Sequence, residues 1–391
     1  GSMNQPAEKV LILSCNTGQG HNTVAKAIQE ALNKRGVPAD IRDGLAFDSE
    51  HASRLISGVH NMSAVYAPEL FVLGNRTAER ATARALETAQ PTGCYLANAR
   101  YAAKLYRYIR EGGYTAAVMP HVFPAEAMTE IRRRFAPDFR AAFVATDYAC
   151  APFVGETDLD LYCIPHSALA EGFIRGGVDP SRIAVTGIPV QDKLLHLPCR
   201  EDARAALRLP QDAPVVQIMT GSMGYGHTDA LLCALLPKLP PQGLALVLCG
   251  NNAHLLRSLQ KQFGSERRVR LLPYCSNVET YLASADVLLT KPGGLSITEA
   301  AVCAVPTVLT APLPGWETQN VAFFTAHGMA EAAETPEALA SAASALLRDP
   351  DRCAAMRAAQ RSNTHPAAAE DIASRLLTSA DFSRGCSFQD A

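Results

Sequence analysis

Paired cysteines, long apolar runs, aromatic side chains and net charge are all scarce in this chain of 391 residues. The eleven cysteines, at positions 15, 94, 150, 163, 199, 233, 249, 275, 303, 353 and 386, form no CxxC pair, and their number is odd. That pattern argues against a disulfide framework or a zinc site and for reduced thiols in a cytoplasmic protein. Formal net charge is -2, from Lys+Arg 36 against Asp+Glu 38, so no global charge steers the chain toward nucleic acid. Pro237, Lys238 and Pro240 break the longest apolar stretch, 231–250, which leaves nothing long enough to span a bilayer. Contact with a membrane is therefore expected from the surface only. Gly1-Ser2-Met3 reads as a vector-derived leader, and the apolar run 10–13 is too short for a signal-peptide core.

What is present suits a globular protein: apolar residues make up 48% and charged residues 19%. The length is about twice that of an ordinary domain, so two domains are expected. Lys9-Val10-Leu11-Ile12-Leu13-Ser14 reads as a strand, a small-residue loop follows, and Val24, Ala27, Ile28, Ala31 and Leu32 mark a helix ending near Gly36. Further strands are expected at 39–42, 116–119, 141–145 and 183–185. After Pro189 and a polar segment, 191–204, the alternation resumes with strands at 215–219, 244–249, 269–272, 287–289 and 307–309. The expected class is α/β, two Rossmann-like doubly wound halves with the ligand site in the cleft between them. The boundaries are drawn at 1–190, with a helical insertion at 45–110, at 191–365, and at 366–391 for a C-terminal helix that crosses back to the first half.

In the insertion the strand signals vanish. A helix over 97–110 places Arg100, Lys104 and Arg107 on one face and Tyr101, Leu105 and Tyr108 on a neighbouring one. Residues 76–140 carry eleven basic side chains against six acidic ones. Such a face is either a solvated helix surface or a seat for anionic lipid headgroups.

Four loops carry chemistry. Asn16-Thr17-Gly18-Gln19-Gly20-His21 lies between the first strand and the first helix, where Gly20 lets a ligand approach and the helix start presents free N–H groups. His21 is the side chain there that takes a proton near neutral pH, or else it caps its own helix. With Asp40 downstream the loop also fits a dinucleotide fingerprint, although Thr23 occupies the third glycine position. Gly221, Ser222, Met223, Gly224, Tyr225 and Gly226 form a loop able to aim N–H groups at a diphosphate without a metal. Gly293, Gly294, Leu295 and Ser296 open the next helix, and Glu299, read as lying in its first turn, either accepts hydrogen bonds from a ribose diol or answers the helix dipole. The fourth loop contains Gly315, Trp316, Glu317, Gln319 and Asn320, with the chain's single tryptophan as a pocket wall and two amides suited to sugar hydroxyls.

Taken in order, Gly18-Gln19-Gly20-His21, Thr146-Asp147-Tyr148, Gly187-Ile188-Pro189-Val190, the loop at 221–226, Lys291-Pro292-Gly293-Gly294 with Glu299, and Pro314-Gly315 with Asn320 resemble the monogalactosyldiacylglycerol synthase group of glycosyltransferase family 28. That family also includes processive diacylglycerol glucosyltransferases and, more distantly, the peptidoglycan lipid-intermediate GlcNAc-transferase. The likeness runs from about residue 10 to about residue 330 and takes in Tyr66-Ala67-Pro68-Glu69-Leu70 and Pro120-His121. It implies a GT-B fold and an inverting, metal-independent transfer from a UDP-sugar donor to a diacylglycerol-like lipid acceptor. The second half would hold the donor, with backbone around Tyr274 and Cys275 toward uracil, Glu299 toward ribose, the loop 222–226 toward diphosphate, and Gln319 and Asn320 toward the sugar. The first half would hold the acceptor, with His21 as base and Asp147 as either an acceptor-side orienter or a structural carboxylate. No cofactor beyond the donor is implied, and the protein would sit on the cytoplasmic face of a membrane. The rivals are transfer to a soluble or isoprenoid acceptor, a UDP-sugar 2-epimerase, a non-catalytic nucleotide-sugar binder and a dinucleotide oxidoreductase.

Overall fold

The computed structural model describes residues 7–15, 19–48, 68–88, 90–219 and 227–377. The chain divides into two compact units, Gly1–Gln191 together with His365–Ala391, and Asp192–Thr364.

The first unit is built on a six-stranded sheet in the order β2-β1-β3-β4-β5-β6, and every pairing is parallel. Its strands are β1 (Val10–Ser14), β2 (Ala39–Asp43), β3 (Ala116–Met119), β4 (Arg140–Val144), β5 (Leu161–Ile164) and β6 (Ile183–Val185). The helices between them are α1 (Gln19–Lys34), α2 (Pro68–Thr88), α3 (Gly93–Ala99), α4 (Ala102–Gly112), α5 (Val122–Phe135) and α6 (Ala170–Arg175). Parallel strands covered on both faces read as unbroken apolar runs. Thus β1 and β3 are buried along their whole length, whereas β2, at the sheet edge, is buried only at Ala39 and exposed at Arg42.

The second unit repeats the plan, with β7 (Val215–Met219), β8 (Leu244–Leu248), β9 (Val269–Leu272), β10 (Val287–Thr290), β11 (Thr307–Leu309) and β12 (Glu331–Ala332) in the order β12-β11-β10-β7-β8-β9, again all parallel. Its helices are α7 (Arg200–Ala206), α8 (Thr228–Leu235), α9 (Ala253–Phe263), α10 (Val278–Ser284), α11 (Gly294–Val302), α12 (Trp316–Ala326), α13 (Pro336–Leu347) and α14 (Pro350–Ser362). Helix α15 (Ala368–Leu377) returns to the first unit and packs on α1, where Arg35 and Glu370 pair at 3.3 Å. Gly187, at φ +81°, lies so close under this returning segment that a Cβ would come within 2.8 Å of the His365 Cβ. The Gly187-Ile188-Pro189-Val190 motif is therefore a packing seat for the chain's return, with Ile188 and Val190 buried.

Arg204 sets the second sheet. It is fully buried, and its guanidinium donates to the carbonyls of Ser284, Pro210, Gln211 and Ala213 and to Asp286 Oδ2 at 3.0 Å. The same Asp286 oxygen accepts from Val215 N at 2.8 Å. Such a buried cation is tolerable only with its donors satisfied and a counter-charge in contact. Here it aligns the starts of β7 and β10, and so the loops at their far ends.

Three local expectations are corrected. The segment 97–110 is two helices: Asn98 turns its amide back to Cys94 O at 2.9 Å and accepts from the buried Tyr101 hydroxyl at 2.6 Å, and the chain breaks at Arg100–Tyr101. Arg100 is thereby drawn to Asp48, while Lys104 and Arg107 stay exposed on α4. The polar stretch 191–204 is no plain connector, since it holds the turn Asp192–Leu195 and the start of α7. Strand β5, absent from the sequence reading, hides behind Asp158 and Asp160, which look like loop residues. Asp158 pairs with Arg182, and Asp160 accepts from Ala141 N at 2.8 Å and pairs with Arg132.

Beneath the insertion, Glu126 of α5 is fully buried beside Glu156. Glu156 in turn holds the start of α3, accepting from the hydroxyl and N–H of Thr92. Burial, and then Glu156, push the Glu126 pKa up to about 10. The folded chain thus keeps a proton that the unfolded chain releases near its ordinary pKa of about 4.3, and stability is lost as pH rises from there toward about 10. Glu126→Gln, which has the shape of the protonated acid and cannot titrate, should raise Tm by about 3–8 °C at pH 8 and by much less at pH 5. Thermal unfolding at the two pH values checks this, and an equal or reversed difference would contradict it.

Candidate functional site

In doubly wound sheets ligands gather at the carboxyl ends of the strands, where the strand order reverses. In the second unit that point lies between β7 and β10. The loop after β7, 220–226, lies outside the described residues, so the roles expected for Gly221, Ser222, Met223, Gly224, Tyr225 and Gly226 are not placed. The loop after β10 is well defined. Lys291 N donates to Met219 O at 3.3 Å, Gly293 caps α11 in extended conformation, and the helix starts at Gly294.

Glu299 accordingly sits in the second turn of α11, not the first. Two glycines read as loop, yet Gly294 already belongs to the helix. At helical spacing Leu295, Ser296 and Glu299 share the partly exposed face of α11, whose other side buries Ile297, Thr298, Ala300 and Ala301. Crowding by surrounding atoms pushes the Glu299 pKa up to about 7, and the nearby Lys193 charge pulls the other way. A carboxylate with that environment changes charge near neutral pH.

The loop after β11 is tied to the one after β10. Glu317, buried in the first turn of α12, accepts from Leu313 N at 3.1 Å and pairs with Lys291 at 3.4 Å. Asn320, also buried, donates to Pro292 O at 3.0 Å. Both side chains therefore lock the two loops together at the strand ends. Gln319 is exposed and Trp316 half-buried. Gly315 adopts φ 106°, ψ −128°, a conformation that favours glycine, and it turns the chain into α12.

Tyr274 and Cys275 follow β9, at the edge of the same sheet. The Tyr274 side chain is 59% exposed, and the Cys275 thiol donates to Pro273 O at 3.1 Å. Lys193, which no sequence motif marked, reaches this segment from the turn Asp192–Leu195: its ammonium donates to Ser276 O at 2.6 Å and lies 3.5 Å from Glu279.

In the first unit the order reverses between β1 and β3. Residues 16–18 lie outside the described residues, whereas Gly20 and His21 begin α1 just past the carboxyl end of β1. Next to it, after β3, His121 caps α5, its Nδ1 accepting from Phe123 N at 3.1 Å. Asp147 follows β4, partly exposed, beside the buried Tyr148. Topology thus brings the starts of α1 and α5 and the Asp147 segment to one sheet edge. Tyr66 and Ala67 lie outside the described residues. Among the described residues no group of His, Cys, Asp or Glu could hold a metal ion, and no helix is long and apolar enough to cross a membrane.

Two Rossmann-like units of this kind, the second with glycine-opened loops at its switch point, make the GT-B architecture of glycosyltransferases. MurG from Acinetobacter baumannii superposes with a TM-score of 0.62 at 15% identity, covering 94% of this chain and 99% of that one. A putative UDP-N-acetylglucosamine 2-epimerase from Listeria monocytogenes matches equally well, with a TM-score of 0.62 at 14% identity over 95% and 96% of the two chains. These likenesses establish the fold alone. In sequence, residues 21–190 match the family model of monogalactosyldiacylglycerol (MGDG) synthase and residues 201–363 that of glycosyl transferases group 1. A processive diacylglycerol beta-glucosyltransferase of Staphylococcus saprophyticus is 27% identical over 255 residues, 65% of this chain and 65% of that protein's length. Each half of the chain is thus similar in sequence to a glycosyltransferase family, and the chain spans just under two thirds of the length of that curated relative.

Proposed function

We propose that this protein transfers a hexose from a UDP-sugar to a diacylglycerol-like lipid acceptor at the cytoplasmic surface of a membrane, with inversion and without a metal. What supports the reading is that residues 21–190 match the family model of monogalactosyldiacylglycerol (MGDG) synthase, while in the other unit the glycine-opened loop after β10 is locked to the loop after β11 at the carboxyl ends of the strands. The relative that is a diacylglycerol glucosyltransferase supports the acceptor class.

In this reading the N–H groups at the start of α11 and the backbone locked by Glu317 and Asn320 face the donor, Glu299 accepts from the ribose diol, and the 221–226 loop takes the diphosphate. His21 removes the proton from the acceptor hydroxyl as it attacks the anomeric carbon, and UDP leaves with the bonding electrons of the C–O bond. Asp147 orients the acceptor side. The exposed Lys104 and Arg107 favour anionic headgroups.

Product analysis tests inversion and metal independence together. Incubation with UDP-glucose or UDP-galactose and diacylglycerol in anionic mixed micelles, with a chelator present, should give a β-linked glycolipid from the α-linked donor. An α-linked product, or loss of product with chelator that added metal restores, would contradict it.

A further inference from the structure

The second unit has a cavity at the end of its sheet opposite the donor-type loops. Its volume is about 210 Å³, and it opens where β10 and β11 begin, since the lining residues Asp286 and Pro306 immediately precede Val287 and Thr307. The four residues of β10, at about 3.3 Å each, set it roughly 13 Å from the loop that opens α11. Arg200 at the start of α7 and Arg357 from α14 both line it, with Leu197 and Cys303. Helix α7 packs on α10 and α14 packs on α11, so the two arginines come from separate parts of the unit. We propose that this cavity is a second ligand site of the chain, which takes a small phosphomonoester between the Arg200 and Arg357 guanidinium groups.

Positive charge at the cavity is not balanced by the chain itself. The half-buried Arg357 side chain makes no hydrogen bond and no ion pair among the described residues. Nearby acids are engaged elsewhere: Asp349 accepts from Arg352 N at 3.0 Å, and Glu331 pairs with the Arg352 side chain. Asp286 lines the cavity, but Arg200 takes its Oδ1, while its Oδ2 accepts from Arg204 at 3.0 Å and from Val215 N at 2.8 Å. The cavity and the layer beneath it thus hold three guanidinium groups against one carboxylate. Arg200 donates from Nη1 alone among the described residues, which leaves its Nε and Nη2 hydrogens available. A cation held partly out of water is ordinarily paired. Two guanidinium forks on one cavity suit the oxygens of a phosphomonoester, which each fork can grip in pairs. Glu299 and Glu279 act on the Cys303 thiol, but neither lines the cavity, and the thiol, pushed up to about 12 chiefly by burial, stays neutral and does not repel an anion. The volume is below the roughly 300–1,000 Å³ of sites for larger ligands, so it holds a phosphate with a short organic portion against Leu197 and Pro306.

An arginine that merely reaches for water would bind anions without regard to Arg200, whereas a shared site needs both. Calorimetry on the full chain with inorganic phosphate and with glycerol 3-phosphate tests this, with UDP present throughout to occupy the glycine loops. Wild type should bind both probes, the ester more tightly. Arg357→Gln and Arg200→Gln should each weaken ester binding about 10–100-fold, the scale of a lost hydrogen bond to a charged group. Arg357→Lys, which keeps the charge but not the fork, should lose less. UDP affinity and phosphate-free Tm of Arg357→Gln should match wild type, because the residue has no partner to lose and lies away from the donor loops. Binding of neither probe, or binding that Arg357→Gln leaves unchanged, overturns the proposal, and tighter binding of phosphate than of the ester overturns the ester as ligand. Should the variants prove unstable, wild-type crystals soaked in tungstate decide: anomalous density between the two guanidinium groups supports the site, and density at the donor loops alone overturns it. Should UDP not bind at all, the donor reading fails, while the comparison of wild type with Arg357→Gln still reads this cavity.

Discussion

Replacing His21 with alanine should lower kcat by about 10²–10⁴, the usual contribution of a positioned general base, while UDP binds as before. The expectation follows from where the residue stands in the chain. It lies at the start of α1, just past β1, at the point where the first sheet reverses its order. A lipid hydroxyl is a poor nucleophile until its proton is taken, and imidazole is the side chain whose unperturbed pKa of about 6.5 lets it do so at neutral pH. Because the donor is assigned to the other unit, the calorimetric UDP dissociation constant of His21→Ala should match wild type. Undiminished turnover would remove His21 from the mechanism and leave it as part of a helix start. A lost UDP affinity would mean that the residue serves the donor instead.

Glu299→Ala should weaken UDP binding by about 1–3 kcal/mol, or roughly 5–150-fold, the scale for hydrogen bonds to a charged acceptor. The second-turn position is what separates the proposed ligand role from a cap. A carboxylate in the first turn of a helix stabilises it through the dipole, an effect that falls off within that turn. Glu299 lies beyond it, on the face where Leu295 and Ser296 are also partly exposed. Helix capping would therefore predict a lowered Tm and an unchanged dissociation constant, and the ligand role the opposite. Wild-type UDP affinity should strengthen as pH rises through about 7, and the same variant should abolish that change, because the group that titrates there is gone.

Much of this fold is written locally. Val10–Ser14, Ala116–Met119 and Leu244–Leu248 are strands buried on both faces, so their apolar runs are visible without any partner. Where a segment's character depends on residues far away, the sequence is mute. Leu161–Ile164 follows two aspartates that look like loop until Arg132, Arg182 and Ala141 N are seen to claim them. The break at Arg100–Tyr101 comes from a side-chain amide competing with the helix, which spacing alone does not show.

The candidate site divides in the same way. Gly293, Gly294 and Gly315 are legible because a backbone that must come close to a ligand or turn sharply needs glycine. Asn320 and Glu317 are also visible as polar residues in a loop, but their grip on Pro292 and Lys291 appears only when adjacent strands are paired. Glu126 and Lys193 are legible at neither level. One is an acid made neutral by burial, and the other is a surface-type residue whose partners, Ser276 and Glu279, come much later in the chain.

The most direct test is UDP release by the purified chain, measured for each common UDP-hexose with and without diacylglycerol in anionic mixed micelles. The account predicts that release requires both one preferred donor and the lipid, with a glycolipid formed in step. UDP-sugar turnover that ignores the lipid and yields UDP with an altered free sugar would contradict it and favour an epimerase on the same fold.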